Sequence, residues 1–168
     1  MKILIVFATY SSGTQTASGV IEKTLIEAGN EVKVQNARES DPKSFSVFDL
    51  IIFGSPSWYI DGKDGQPHEY FGSLLKKMNG MDLKYKQYAV FGLGHSSYYS
   101  HFCGAVDVLE EGIKKLGGKI IVDSLRIDGF YFYQNANEER IRKWTKDLFT
   151  ENNKMTGILS KLQHHSKS

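Results

Sequence analysis

Thr9-Tyr10-Ser11-Ser12-Gly13-Thr14 is a short stretch dense in hydroxyls, with one glycine, set immediately ahead of a segment of helical period. Amides at a helix N-terminus have no partner inside the helix and carry partial positive charge, and Ser and Thr hydroxyls donate to phosphate oxygens. Such a turn can cradle a phosphate without a lysine. The same residues also suit a simpler end, because Ser11 or Ser12 can merely cap the helix. With no Gly-Lys-Ser/Thr ending and no three-glycine pattern, a Walker loop and a dinucleotide fingerprint are excluded. A second cluster, Ser55-Pro56-Ser57-Trp58-Tyr59-Ile60-Asp61-Gly62, sets two large aromatics side by side in what reads as an irregular loop. Trp58 either stacks on a flat ring or closes over a sheet edge as ordinary packing. The third cluster runs from Gly92 through Leu93, Gly94, His95, Tyr98, His101 and Phe102 to Cys103. Its glycines let backbone approach a ligand closely, and Tyr98 offers a second aromatic plane. A flat heterocycle between Trp58 and Tyr98, with its phosphate on Ser11 to Thr14, accounts for all three clusters at once.

The elements between these clusters explain why they should meet. Lys2 to Phe7 and Asp49 to Gly54 are continuous apolar runs ending abruptly in small and polar residues, as strands buried on both faces do. Glu31 to Val34, Gln87 to Gly92 and Lys119 to Val122 complete five expected strands. Helical spacing places helices over Thr14 to Ala28, about Pro67 to Met78, about Cys103 to Leu116 and about Glu138 to Glu151, with a loop from Ser55 to Gln66. Strands alternating with helices imply right-handed crossovers and a parallel sheet covered on both faces. The expected fold is a flavodoxin-like, doubly wound α/β three-layer sandwich, with a five-stranded parallel sheet of order 2-1-3-4-5. Ligands then sit beyond the C-terminal ends of strands one, three and four.

Composition agrees with one packed domain, expected over residues 1–152. The chain has 168 residues, 40% of them hydrophobic and 24% charged, and only three prolines. No apolar run is long enough to cross a bilayer or act as a signal peptide, which makes the cytoplasm the expected compartment and leaves no membrane partner. Cys103 is the single cysteine, ruling out an intramolecular disulfide. It is either a reactive thiol at a helix start or a packed, inert one. The formal charge is +2, and residues 153–168 contribute Lys154, Lys161, Lys167, His164 and His165 without an acid. This basic tail could meet nucleic acid or an acidic partner, but the expectation is a solvated, frayed terminus, with no nucleic-acid contact.

Taken together, these segments resemble the flavodoxins, most closely the short-chain group, from Lys2 to about Phe149. Thr9 to Thr14 is similar to the family's flavin mononucleotide (FMN) phosphate loop, Pro56-Ser57-Trp58 to its tryptophan loop, and Gly92 to Tyr98 to its tyrosine loop. Phe102 to Asp107 and Leu125-Arg126-Ile127-Asp128-Gly129 also resemble short-chain members, and the long insertion that splits the final strand in long-chain members is absent. The resemblance implies that Thr9, Ser11 and Thr14 donate hydroxyls to the phosphate, with amides around Tyr10 to Gly13 completing the cradle. Ser57 would lie near the ribityl chain, Trp58 and Tyr98 would sandwich the isoalloxazine, and backbone of Tyr59, Gly94, His95 and Cys103 would meet its polar edge. Pro56, Ile60, Leu93, His101 and Phe102 complete the implied site, in which no residue is catalytic and the flavin carries the chemistry.

Three departures from the family pattern bear on potential and partner. Ser12 stands where a glycine is usual, with Gly13 next, which allows the turn to shift by one residue. Tyr59 replaces a small residue whose peptide can turn toward the reduced ring, so the one-electron-reduced state should be less favoured. His95 replaces an acid, either easing reduction by removing a negative charge or pointing to water and contributing only backbone. The implied role is a monomeric, low-potential electron carrier between redox partner proteins, a flavodoxin reductase or similar donor and an acceptor enzyme. Unlike the commonly acidic members of the family, its body is near neutral, which leaves those partners open. Two other functions compete: an FMN-dependent NAD(P)H:quinone oxidoreductase of the same fold group, and a module of this fold that has lost FMN. A response-regulator receiver lacks support, because the first strand ends in Thr9-Tyr10 where an acidic pair would stand.

Overall fold

A computed structural model describes residues 1–98 and 101–165 of the chain. In chain order the elements are β1 (Lys2–Phe7), α1 (Gly13–Glu27), β2 (Glu31–Asn36), β3 (Leu50–Ile60), β4 (Lys63–Pro67), α2 (Glu69–Met78), β5 (Gln87–Gly94), α3 (Gly104–Lys115), β6 (Lys119–Ile120), β7 (Leu125–Asp128) and α4 (Gln134–His165). Two 3-10 turns, Ala37–Glu39 and Pro42–Val47, lie between β2 and β3. The main sheet is ordered β2-β1-β3-β5-β6, with β7 also on β5, and all of these pairings are parallel. This is the 2-1-3-4-5 order expected, with its fifth position occupied by two short strands.

Alternation along the strands divides the core between the two faces. Leu4, Val6, Ile51, Phe53 and Val90 pack against Phe71, Leu74 and Met78 of α2 and Val106, Leu109 and Ile113 of α3. Ile3, Ile5, Leu50, Ile52 and Phe91 pack against Ala17, Ile21 and Leu25 of α1 and Ile141, Trp144 and Leu148 of α4. Because β1 and the first part of β3 are covered on both sides, their sequences are continuously apolar, which is why they are legible without periodicity. Gly54 is forced: a Cβ there would lie 2.0 Å from Phe91 Cζ.

Three expectations are corrected. The segment Ser55 to Gln66 is not an irregular loop: β3 continues to Ile60 and folds back antiparallel as β4, pairing Ser57 with Pro67 and Ile60 with Lys63. Asp61 (φ 51°) and Gly62 (φ 78°) make the tight connection, the left-handed pair that a two-residue hairpin requires. The last strand does not stop at Val122. Chain from Ile121 to Ser124 bulges between β6 and β7, held where Trp144 donates its indole N–H to the Asp123 carbonyl at 2.8 Å, and β7 then rejoins β5 at Phe91. Finally, α4 spans Gln134–His165 instead of Glu138 to Glu151. No proline follows Pro67, and Gly157 is the one glycine within α4, so no strong breaker ends the helix where the tail was expected to begin. Lys167 of the expected basic tail lies outside the described residues.

Candidate functional site

Beyond the C-terminal ends of β1, β3 and β5 lies a cleft of about 530 Å³, within the size range of small-molecule sites. One polar feature of its lining is the start of α1. The first intrahelical bond is Thr16 N–H to the Ser12 carbonyl at 2.9 Å, so the amides of Gly13, Thr14 and Gln15 precede the ladder. The Ser12 side chain makes no capping bond to them, which removes the simple capping role for that residue. Ser12 itself is left-handed, with φ 65° and ψ −7°. Ser12 thus adopts a conformation that suits glycine, at a cost of about 1–2 kcal/mol. Thr9, Ser11, Gly13 and Thr14 line the cleft.

Thr14 tests whether this turn suits a phosphate. Its residue is 1% exposed, and its Oγ1 is buried without a hydrogen-bond partner. A buried hydroxyl left unpaired costs about 1–3 kcal/mol, a cost removed when an acceptor oxygen occupies the turn. Among the described residues no lysine or arginine lines the cleft, so an anion there would be held by amides and hydroxyls. Thr14→Val should accordingly raise the stability of the flavin-free protein by about 1 kcal/mol while weakening FMN binding about tenfold. Urea unfolding and a flavin titration on the same variant would show both signs; a fall in both quantities would mean that the hydroxyl is satisfied in the empty protein.

The second wall is the β3–β4 hairpin, contributing Pro56, Ser57, Trp58 and Tyr59. Trp58 is 56% exposed, too open to be closing over the sheet as core packing. Ser57 ties the hairpin to α3 by accepting a hydrogen bond from the Ala105 amide at 3.1 Å. Ile60 sits at the far end of the hairpin, paired with Lys63 and outside the cleft wall. Tyr10 and Ser12 are likewise not part of that wall, and what the resemblance asks of them is backbone amides. Tyr10 turns away because its ring has better partners: it stacks on His68 at 4.0 Å and 23°, and its hydroxyl donates to the Glu69 carboxylate. Burial, reinforced by that carboxylate, pushes the Tyr10 phenol up to about 12. From behind the wall, its ring meets Trp58 at 5.4 Å. His68 is buried, which lowers its pKa; its Nδ1 accepts from the Tyr70 amide and caps α2, while its own amide donates to Ser55 Oγ at 2.9 Å.

Leu93, Gly94, His95, Tyr98, His101, Phe102 and Cys103 form the third wall, and Tyr99 and Ser100 between them lie outside the described residues. Tyr98 is 63% exposed. His95 is exposed and also lines the cleft; it meets Phe132 edge-on at 5.8 Å and pairs through Nδ1 with Ser97 Oγ at 2.6 Å. His101 Nδ1 lies 3.3 Å from Asp64 Oδ2, bridging this loop to the hairpin. Cys103 is the inert thiol of the two possibilities. It is fully buried, its Sγ faces the carbonyls of Gly92 and Ile127 at 3.5 and 3.7 Å, and burial pushes its pKa up to about 12. Gly94 permits this packing, since a Cβ there would lie 2.9 Å from the Cys103 amide nitrogen.

Four lining residues escaped sequence reasoning: Asp64 on β4, and Phe130, Tyr131 and Phe132 after β7. A signal was present for each. Asp61-Gly62 marks a hairpin that brings Asp64 back, and the run Phe130-Tyr131-Phe132-Tyr133 directly after Gly129 is an aromatic cluster too large to be incidental. Among the described residues no group of His, Cys, Asp and Glu could hold a metal ion.

Comparison with known proteins agrees with this geometry. The family model described as Flavodoxin matches residues 5–144. The probable flavodoxin 2 of Bacillus subtilis (strain 168) is 40% identical over 128 residues, covering 76% of this chain and 82% of the relative. The oxidised Flavodoxin 2 of Bacillus cereus superposes with a TM-score of 0.75 at 28% identity, over 92% of this chain and 99% of that one. A Fusobacterium nucleatum flavodoxin bound to flavin mononucleotide has the same fold, with a TM-score of 0.76 at 23% identity, over 89% and 98% of the two chains.

Proposed function

The chain belongs to the flavodoxin family, and from that premise we propose that its FMN lies between Trp58 and Tyr98 with the phosphate on the turn from Ser11 to Thr14. It is an FMN-binding electron-transfer protein that works with redox partner proteins, a carrier and not an enzyme. The flavin supplies the redox chemistry when bound. This chain's residues bind and orient it: amides of Gly13 to Gln15 and the hydroxyls of Ser11 and Thr14 for the phosphate, aromatic faces for the ring, and His95 at its edge. The single observation carrying the placement is the buried, unpartnered Thr14 Oγ1 at the start of α1, in the same cleft as two half-exposed aromatic walls.

The finer parts of the reading rest on surface chemistry. Both faces of the sheet are already covered by helices of the same chain, which favours a monomer. A formal charge of only +2 leaves no strong field to select a highly charged partner, so a reductase-type donor and an acceptor enzyme are proposed by role alone. Among the described residues no helix is long and apolar enough to cross a membrane, and we place the carrier in the cytoplasm. Neither the quinone reductase nor the flavin-free module is favoured by the relatives found.

Titrating the flavin-free protein with FMN should quench flavin fluorescence to an end point of one flavin per chain, with submicromolar affinity. The loaded protein should then accept electrons from dithionite, yet fail to oxidise NADPH with a quinone unless a reductase is added. Absence of binding, or turnover without the reductase, would overturn the reading. His95→Asp should make the more negative midpoint potential more negative still, by tens of millivolts, because a carboxylate beside the ring opposes added negative charge. Equal potentials for variant and parent from pH 5 to 9 would show that the imidazole is electrostatically silent.

A further inference from the structure

Ser12 holds a left-handed conformation with neither a glycine's freedom nor a capping bond to compensate. What opposes its relaxation comes from the other end of the chain: Tyr131 donates its hydroxyl to the Ser11 carbonyl at 2.8 Å. A peptide unit is planar, with its carbonyl and amide on opposite sides. Bringing Ser12 to negative φ requires the Ser11–Ser12 peptide to turn over, which would carry the Ser11 oxygen away from Tyr131 and reverse the Ser12 N–H. One hydrogen bond therefore resists the motion that would dissolve the phosphate turn.

Tyr131 is well placed to act as a fixed post. Phe130, 5% exposed, is sunk in the core beside it and meets its ring edge-on at 5.2 Å. Asn137 fastens the segment on both sides, donating Nδ2 to the Asp128 carbonyl at 2.9 Å and its amide to the Tyr133 carbonyl at 2.9 Å. A Cβ built on Gly13 would lie 3.5 Å from Tyr131 Cε2 and 3.7 Å from Phe130 Cδ1, so the segment packs directly on the phosphate turn.

We propose that Tyr131 is a positioning residue that selects the phosphorylated flavin over riboflavin, by holding the Ser11–Ser12 peptide in the phosphate-binding orientation. The proposal rests on the FMN reading above and adds a residue and a selectivity to it. Because Tyr131 acts on the turn through the Ser11 carbonyl, removing its hydroxyl should affect only a ligand that uses the turn. Because it works against the strain at Ser12, a glycine there should make it dispensable.

Dissociation constants for FMN and for riboflavin, measured by fluorescence quenching on the parent, Tyr131→Phe, Ser12→Gly and the double variant, test both statements. Tyr131→Phe should weaken FMN about tenfold and riboflavin less than about twofold. In the Ser12→Gly background, the same change should weaken FMN by less than about threefold. The ring survives in Tyr131→Phe and the residue is 53% exposed, so a folded protein is expected, checked by an unchanged circular dichroism spectrum. Equal losses for both flavins, equal losses in both Ser12 backgrounds, or no loss at all would each overturn the proposal while leaving the FMN reading intact. Failure of the parent itself to bind FMN would overturn both.

Discussion

Trp58→Ala is expected to weaken FMN binding by about two orders of magnitude while changing the stability of the flavin-free protein by less than about 0.5 kcal/mol. The two halves of that expectation have separate origins. In the structure the indole is 56% exposed and its one aromatic neighbour among the described residues, Tyr10, is tilted at 42°, so the fold gains little from it. With a flat ring stacked on it, the indole loses that exposure and covers one side of the flavin, a contact worth roughly 1–3 kcal/mol in comparable aromatic stacks. Trp58→Phe should recover part of the loss, since a smaller ring covers less of the flavin. Flavin titrations with a parallel urea melt would decide; an affinity within threefold of the parent would mean that the indole faces solvent in the holoprotein and that Tyr98 and the turn do the binding.

Why Trp58 stands half exposed is a question of local backbone that the sequence answers only in part. The runs from Lys2 to Phe7 and from Asp49 to Gly54 are unmistakable because burial on both faces demands apolar residues at every position. Ser57, Trp58 and Tyr59 offer no such regularity, because the end of β3 that carries them leaves the core and is paired with β4. The Asp61-Gly62 pair was the readable sign of that hairpin, hidden in a stretch whose Gly, Asp and Ser content suggests a loop. Tyr10 illustrates a different limit. Its place in the phosphate turn was legible, but the direction of its ring depends on His68 and Glu69 on another element, and no local pattern encodes that contact. The same holds for Tyr131, whose partner Ser11 is 120 residues away in the chain. Cys103 ran the other way. Either fate was open from its position at a helix start, and packing against Gly92, Gly94 and Ile127 fixed it as buried and inert.

Gly104→Ala should destabilise the protein by about 2–3 kcal/mol and weaken FMN binding with it, although replacing glycine by alanine usually helps a helix. Gly104 opens α3, and a Cβ on it would lie 2.8 Å from the Gly65 carbonyl oxygen and 2.9 Å from Gly65 Cα. Both atoms are backbone, so no side-chain rotation relieves the overlap and the hairpin itself has to move. Moving it strains the Ala105 amide to Ser57 Oγ bond and the 3.3 Å approach of His101 to Asp64, both of which link the hairpin to the segment around α3's start. Gly72→Ala supplies the opposite sign: it lies within α2, and an added Cβ meets nothing within 4 Å. That substitution should stabilise by about 1 kcal/mol and leave flavin affinity unchanged. If urea melts showed the two variants shifting in the same direction, the close backbone approach between α3 and the hairpin could not be what sets the width of the cleft.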